Sequence, residues 1–356
     1  MRVLGIETSC DETAAAVVET TGDATRPWRV ASSVVASQID VHREWGGVVP
    51  ELASRQHVRD ICGVVERTLS DAGTGWAGVD ALAVTQGPGL IGSLLVGVSF
   101  AKAAAWALER PLVAVNHLAG HIESLWLEHG DLPTPAVVLV VSGGHTSLYL
   151  VRAPGSYEAV GRTRDDAAGE AYDKVAKLLG LGYPGGPVID RLAREGRADA
   201  VDLPVTRLTH PDRNAPEREY RFDFSFSGLK TAVLRHVRAR QASLGCERLP
   251  DAEIRDISAS FQATVVRTLL DRAFGAARWF DARAIGIAGG VSANAHLRAE
   301  AARRAAGYAD LRVFVPALAL TTDNAAMIAA AGLRRLALGA LAPADLNAAA
   351  SLPLGR

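Results

Sequence analysis

Two histidines four residues apart, His117 and His121 in NHLAGHIESLWLE, lie in a stretch of helical character. At that spacing both imidazoles leave one helix face about one turn apart, close enough to bind one metal ion. The same spacing suits two hydrogen-bonded packing histidines, so a third ligand is needed to give the pair chemical meaning. Asp323 in LTTDNAAMIAAAG is the candidate: Thr321 and Thr322 can cap a helix and put the carboxylate in its first turn, where an acidic residue also fits for purely helical reasons. Two imidazoles and a carboxylate leave coordination positions open for a substrate oxygen and suit Fe(II) or Zn(II), without choosing between them. The pair is not HExxH, because Leu118 follows the first histidine, so a metalloprotease would lack its glutamate base. Asp11 and Glu12, in the turn SCDET, form a second acidic pair that could position an amine, accept a proton, or simply turn the chain. Cys10 beside them has no cationic neighbour in the sequence to activate a thiol and reads as a small packing residue.

Elements of α/β type must position these groups. Strand-like VLGIET, AAAVVE and VASSVVAS are followed by helix-like PELASRQHVRDICGVVERTLSDAG, strand DALAVTQ, helix SLLVGVSFAKAAAWALE and strand PLVAVN. After Pro133 and Pro135 the pattern restarts with AVVLVVSGGHTSLYLV, helices around 170–179 and 258–280, strand AIGIAGG, a further helix and strand RVFVPA. The second lobe thus repeats the first. Its echo is sharpest in VLGIETSCDETAAAVVE and LVVSGGHTSLYLV, where short side chains between apolar strands let backbone N–H groups approach a phosphate. With GIAGGVSAN between a later strand and helix, they point to a nucleotide held between duplicated lobes. This arrangement resembles the paired ribonuclease H-like domains of the actin, sugar-kinase and chaperone-ATPase superfamily. The expected division is a first lobe over 1–118, completed by a C-terminal helix at 322–356, and a second over 119–321, with the site in the cleft between them. The Ala-rich last twenty or so residues are expected to be helix end and tail, without chemistry.

The 356 residues, 49% hydrophobic and 22% charged, can bury the large core that two domains need. A net charge of -1 gives no overall attraction for a polyanion, so nucleic acid would need a local patch or a partner. Arg207, Arg213, Arg218 and Arg221, and then Arg235, Arg238 and Arg240, are either such patches or solvated faces. Cys10, Cys62 and Cys246 form no CxxC pair and no even framework, which argues against a structural zinc site and a disulfide scaffold and fits a reducing compartment. No run reaches the roughly 18 apolar residues of a membrane span, and the first residues read as a strand instead of a signal sequence. The expectation is a soluble, cytoplasmic protein without membrane contact.

Ten ordered blocks then carry a more specific resemblance: GIETSCDETAAAVV, GGVVPELASRQHVR, TQGPGLIGSLLVG, NHLAGHIESLWLE, LVVSGGHTSLYLV, DDAAGEAYDKVAKLLGLGYPGGPVIDRLA, FSFSGLKTAV, ISASFQ, GGVSANAHLR and TTDNAAMIAAAG. Over nearly its whole length the chain resembles the tRNA N6-adenosine threonylcarbamoyltransferase family, bacterial TsaD, formerly described as glycoproteases (Gcp). It departs from the family at Thr322, where many members have Cys, and in the ending SLPLGR, which lacks the common Arg-Pro-Arg-Trp type of tail. The resemblance implies transfer of a threonylcarbamoyl group from threonylcarbamoyl-adenylate to N6 of adenosine 37 in tRNAs that read codons beginning with A, with release of AMP. It implies His117, His121 and Asp323 as ligands of one divalent metal, Fe(II) favoured over Zn(II), and acidic residues Asp11 and Glu12 in the site. It implies that the loop Val140, Val141, Ser142, Gly143 and Gly144 contacts the activated adenylate. Asp173, Gly186, Asp190 and Asn294 match positions that hold its adenosine end, with Asp173 and Asp190 accepting from the ribose hydroxyls; ATP or ADP could occupy the same place. His145 and Lys174 are further contacts, while Ser225, Ser227 and Lys230 of SFSGLKT read as structural or tRNA-facing. Implied partners are tRNA, a paralogous TsaB-type subunit, a small TsaE-type ATPase and an upstream threonylcarbamoyl-adenylate synthase. An ATPase or small-molecule kinase of the same superfamily is the strongest alternative, a scaffold that binds ATP without chemistry is another, and a metalloprotease is the weakest.

Overall fold

The computed structural model describes residues 1–206, 208 and 222–355, so Arg207, Arg213, Arg218 and Arg221 lie outside the described residues. The chain divides into two compact units: Met1–Leu132 with Pro154–Ser156 and Pro316–Arg356, and Pro133–Ala153 with Tyr157–Val315. The first boundary follows the helix that carries both histidines, so His117, His121 and Asp323 all belong to the first unit.

In the first unit β1 (Arg2–Glu7), β2 (Glu12–Thr20), β3 (Trp28–Ser37), β4 (Ala81–Gly87) and β5 (Leu112–Asn116) form one sheet in the order β3-β2-β1-β4-β5. The three leading strands pair antiparallel, and β4 and β5 add in parallel. After a single-turn helix α1 (Ile39–His42) come α2 (Pro50–Asp71), α3 (Ile91–Ala107) and α4 (His117–His129). Strands β1, β2, β4 and β5 read as near-continuous apolar runs because both faces are covered, whereas the edge strand β3 is largely exposed. Leu4, Ile6, Ala15 and Val17 join the core beside α2 and α3, while Val3, Ala14, Ala16 and Val18 face the C-terminal helix.

The second unit repeats the plan. β6 (Ala136–Val141), β7 (Thr146–Val151), β8 (Tyr157–Arg162), β9 (Ala284–Ala288) and β10 (Arg312–Phe314) are ordered β10-β9-β6-β7-β8, with the same succession of antiparallel and parallel pairs. Between β8 and β9 run α5 (Ala168–Leu178), α6 (Gly185–Ala193), α7 (Ser227–Leu244) and α8 (Asp251–Trp279), and α9 (Ala295–Ala305) precedes β10. Tyr172, Phe224, Phe226 and Phe261 are among the largest fully buried side chains of this core. The duplicated ribonuclease H-like plan of the actin, sugar-kinase and chaperone-ATPase superfamily is therefore the fold of the chain.

The chain's end differs from expectation. Its last helix, α10, covers only Ala325–Ala337, and 340–355 contain no helix. Gly339, with φ +72°, and then Pro343 end the helix. The rest lies along the first unit as a strap: Ala342 N–H donates to Leu112 O (2.8 Å), Ala349 N–H to Gln86 O (2.9 Å) and Asn116 Nδ2 to Leu352 O (2.9 Å). Among the described residues no helix is long and apolar enough to cross a membrane.

Candidate functional site

In the first unit Asn116 ends β5 and caps α4, its Oδ1 accepting from the N–H groups of Leu118 (2.9 Å) and Ala119 (3.4 Å). This cap starts the helix at His117 and so stacks His117 and His121 on consecutive turns, their rings 4.7 Å apart and nearly perpendicular. Asp323 reaches them from the segment before α10. It does not stand in a first helical turn, and neither Thr321 nor Thr322 is the cap: Asn324 fills that place, accepting from Met327 N–H (3.0 Å), because its side chain is free to turn back while Thr321 donates to Leu318 O. Asp323 Oδ1 lies 3.4 Å from His117 Nε2 and 3.3 Å from His121 Nε2. One ligand atom from each residue falls within 4.8 Å of the other two, as sharing one cation requires.

The surroundings suit a cation. Glu7, fully buried at the end of β1, accepts from Thr85 Oγ1 (2.7 Å), from the Ser9 N–H (2.5 Å) and, through Oε2, from His117 Nδ1 (2.9 Å). That bond places the proton of neutral His117 on Nδ1 and leaves the Nε2 lone pair directed at Asp323, the way metal-bound histidines are held. Among the described residues Nδ1 of fully buried His121 has no hydrogen-bond partner, and Nε2 has only the Asp323 carboxylate, 3.3 Å away. An imidazole left so is costly unless something binds it, and a cation on Nε2 is what the donor set would accept.

Electrostatics tie the cluster together. Burial works against charge on His117, yet Asp323 and Glu7 outweigh it and raise its pKa well above the ordinary imidazole value. Burial likewise opposes charge on Asp323, but the two histidines hold it well below the usual carboxylate range, and His117 holds Glu7 low in the same way. His121 is shifted down by burial. Glu12 is pushed up to about 10 by burial and by the negative charges of Asp323 and Asp11, so it is a protonated acid, and a donor, while no cation offsets Asp323. Burial and the same acids raise Cys10 far above its usual range, which leaves no thiolate for nucleophilic chemistry. The turn that carries these residues is pinned by His57, whose Nε2 donates to Cys10 O (3.0 Å) while Nδ1 accepts from Thr13 Oγ1 (2.8 Å).

In the second unit the turn between β6 and β7 holds no acidic residue, lysine or arginine. Val140 and Val141 are buried ladder residues, so only their main chain can face a ligand. The Ser142 N–H is engaged by His145 O (2.8 Å) and its hydroxyl by the His145 N–H (3.2 Å), which leaves Gly143 and Gly144 as the turn's outward donors. A Cβ on Gly143, Gly144, Gly186 or Gly290 would meet nothing within 4 Å, so these glycines border open space. Gly169, in the first turn of α5, does the opposite: a Cβ there would sit 2.6 Å from Ser142 O. That close approach seats the amino end of α5 on the turn, the Ala168 N–H donating to Thr146 Oγ1 (2.9 Å) and the Gly169 N–H to Ser142 O (3.2 Å).

Asn294, Asp190 and Asp173, the residues expected to hold an adenosine, are each fixed by hydrogen bonds within this unit. Asn294 caps α9 through Leu297 N–H (2.9 Å), and its Nδ2 donates to Gln262 Oε1 (2.7 Å); Gln262 Nε2 donates in turn to Asp190 Oδ1 (3.2 Å). Asp173 Oδ1 accepts from the Gly185 N–H (2.7 Å), fixing the YPGGP segment that presents Gly186. Lys174 is held by Asp166 (2.7 Å) and Glu170 (2.8 Å). Ser225 and Ser227 both donate to Asp165, and Lys230 pairs with Asp166 (3.0 Å), so the polar side chains of SFSGLKT fasten α7 to the segment before α5. Glu7, His57 and Gln262 are the supporting residues that sequence reading missed. Glu7 alone had a signal: an acid closing an otherwise apolar strand.

A family model described as "tRNA N6-adenosine threonylcarbamoyltransferase", TsaD, matches residues 29–330. Proteins of that name from Anaeromyxobacter sp. (strain Fw109-5) and Koribacter versatilis (strain Ellin345) are 52% and 49% identical, over 98% of each chain for the first and over 99% of this chain and 98% of the relative for the second. Among solved structures, full-length HypF in its phosphate- and nucleotide-bound form superposes with a TM-score of 0.57 at 14% identity, over 94% of this chain and 56% of its own. Component A of the Acidaminococcus fermentans (R)-2-hydroxyglutaryl-CoA dehydratase gives 0.52 at 14% identity, over 95% and 99%. At such identities the likeness concerns the fold.

Proposed function

Since the chain belongs to the tRNA N6-adenosine threonylcarbamoyltransferase family, we propose that the residues above transfer threonylcarbamoyl from threonylcarbamoyl-adenylate to N6 of adenosine 37 in tRNAs reading codons that begin with A, releasing AMP. The N6 amine is a weak nucleophile because its lone pair is delocalised into the ring, so its acyl partner must be strongly activated, as a carbamoyl-adenylate is. In this reading the second unit binds the adenylate: the N–H groups of Gly143 and Gly144 take the phosphate that leaves with AMP, and Asp173, Gly186, Asp190 and Asn294 hold the nucleoside. ATP or ADP would compete for that place.

The first unit supplies the metal ligands His117, His121 and Asp323, with Fe(II) favoured and Zn(II) the alternative. A divalent ion there would polarise or orient a substrate oxygen. Glu7 keeps His117 in the tautomer that coordinates, and Asp11 and Glu12 position the attacking amine and accept its proton. The observation that carries this reading is the donor set itself: two buried histidines and a half-buried Asp323 whose ligand atoms converge within 4.8 Å, with Asp323 as the only described partner of His121 Nε2. A TsaB-type subunit, a TsaE-type ATPase and a synthase for the adenylate would complete the system, which we place in the cytoplasm.

Mass spectrometry of tRNA nucleosides tests it. Wild type, His117→Ala and Asp323→Ala are each given threonylcarbamoyl-adenylate, the partner proteins and tRNA reading codons that begin with A. Threonylcarbamoyladenosine from wild type alone is expected. No product from folded wild type with active partners would sink the proposed donor, and equal product from all three would remove the metal from the reaction.

A further inference from the structure

The third ligand is delivered by a helix that packs very closely on its neighbours, with Met327, Ile328 and Leu333 buried among small residues. Ala325, Ala326, Ala329, Ala330 and Gly332 of α10 are buried, and a Cβ on Gly5 of β1 would lie 2.3 Å from Ala325 O. A Cβ on Gly332 would lie 2.5 Å from Ala83 Cβ of β4. Towards α4 it is Gly120 that makes room, since a Cβ there would lie 2.8 Å from Ile328 Cδ1. Close approach sets how far apart the elements stand, but it does not by itself aim a side chain that lies outside the helix. Asp323, two residues before α10, must nevertheless hold its Oδ1 within 3.4 and 3.3 Å of two imidazoles on α4.

One strongly directional contact joins the same two helices. Glu123, two residues after His121 on α4, is fully buried, and its Oε2 accepts from both Nε (3.1 Å) and Nη2 (2.9 Å) of Arg334 on α10. The guanidinium is stacked over Trp28 (4.6 Å) and lies 5.9 Å from the ring of Trp126, which confines it to one position. Each helix thus carries one half of the metal donor set and one half of the ion pair. We propose that Glu123 and Arg334 are positioning residues: their pair sets the register of α10 on α4 and thereby aims Asp323 at His117 and His121. This rests on the reading of those three residues as a metal centre.

A pair that served only stability would behave differently. Removing two charges from water is costly, so replacing a buried pair by apolar side chains of similar size commonly leaves stability unchanged or improved, whereas removing one partner weakens it. The informative protein is therefore full-length Glu123→Met/Arg334→Met, titrated with Zn(II) by calorimetry and with Co(II) by visible absorption beside wild type and His121→Ala. The expected result is a thermal midpoint at or above wild type, with Zn(II) affinity lower by about tenfold or more and an altered Co(II) spectrum, the scale of effect seen when groups supporting a metal ligand are lost. A folded double variant with wild-type affinity and spectrum overturns the proposal. Wild type binding no better than His121→Ala overturns it too, by removing the metal centre itself. If the double variant does not fold, Arg334→Lys decides, because it keeps the charge but loses the fork: weakened binding supports the proposal, and unchanged binding overturns it.

Discussion

The two units build the same strand-turn-strand device from opposite materials. Between β1 and β2 the turn carries Cys10, Asp11 and Glu12, beside buried Glu7, and works through side chains whose charges are coupled to two histidines and Asp323. Between β6 and β7 it carries Ser142, Gly143, Gly144 and His145, and offers main-chain N–H groups beside open space. One framework can therefore present either a tuned cluster of charges or a cradle of amides, depending on a handful of residues at a turn.

The contrast breaks hardest at the ligands. His121→Ala or Asp323→Ala should lower metal content and affinity by at least about 100-fold, the upper end of what losing a mere supporting group costs, with nucleotide binding by the second unit unchanged; metal analysis beside calorimetric ATP titration checks both. The mirror experiment is Gly144→Val. The side chain enters open space, so the fold should stay within about 0.5 kcal/mol of wild type, while affinity for ATP or an adenylate analogue falls about tenfold or more, some 1.4 kcal/mol, and metal binding is untouched.

Glu7→Gln sharpens the comparison, because it keeps shape but weakens the support of His117. Metal affinity should fall about 10- to 100-fold. The pH dependence should move with it. His117 binds a metal only when unprotonated on Nε2, and its raised pKa favours the protonated form, so wild-type metal affinity should begin to fall above the ordinary imidazole range as pH is lowered. Removing the Glu7 charge, one of the causes of that raised pKa, should shift the fall to lower pH; Zn(II) titrations across the neutral range read this. Smallest is Asn294→Ala, which removes the α9 cap and the link to Gln262 and should cost about 1 kcal/mol in denaturant unfolding, with weaker nucleotide binding and no effect on the metal.

Much of this was legible in the sequence because it is local. The HxxxH spacing, the two strand-turn-strand units and the glycine segments each show within a few residues, and the repeat of the first lobe by the second is visible in strand order. What escaped depends on pairing across the chain. Arg334 meets Glu123 across 211 positions, and Gln262 joins Asn294 to Asp190 only once α8 is packed. Asp323 was found, but its setting was misread, since the choice of Asn324 over the two threonines as cap depends on where the chain arrives from. The Ala-rich ending suggested helix by composition; hydrogen bonds to Leu112 and Gln86 hold it extended instead.

Because the first unit is closed by Pro316–Arg356, its assembly must wait until the whole second unit has been synthesised. A nascent chain halted after Val315 would possess both histidines but no carboxylate opposite them, and the apolar sheet face that α10 covers would stand bare. Such a product would be conspicuous to chaperones and proteases and would lack one of the three candidate ligands. The layout makes the cluster an indicator of a finished first unit, since its donor atoms come together only once Asp323 and the helix behind it have been made.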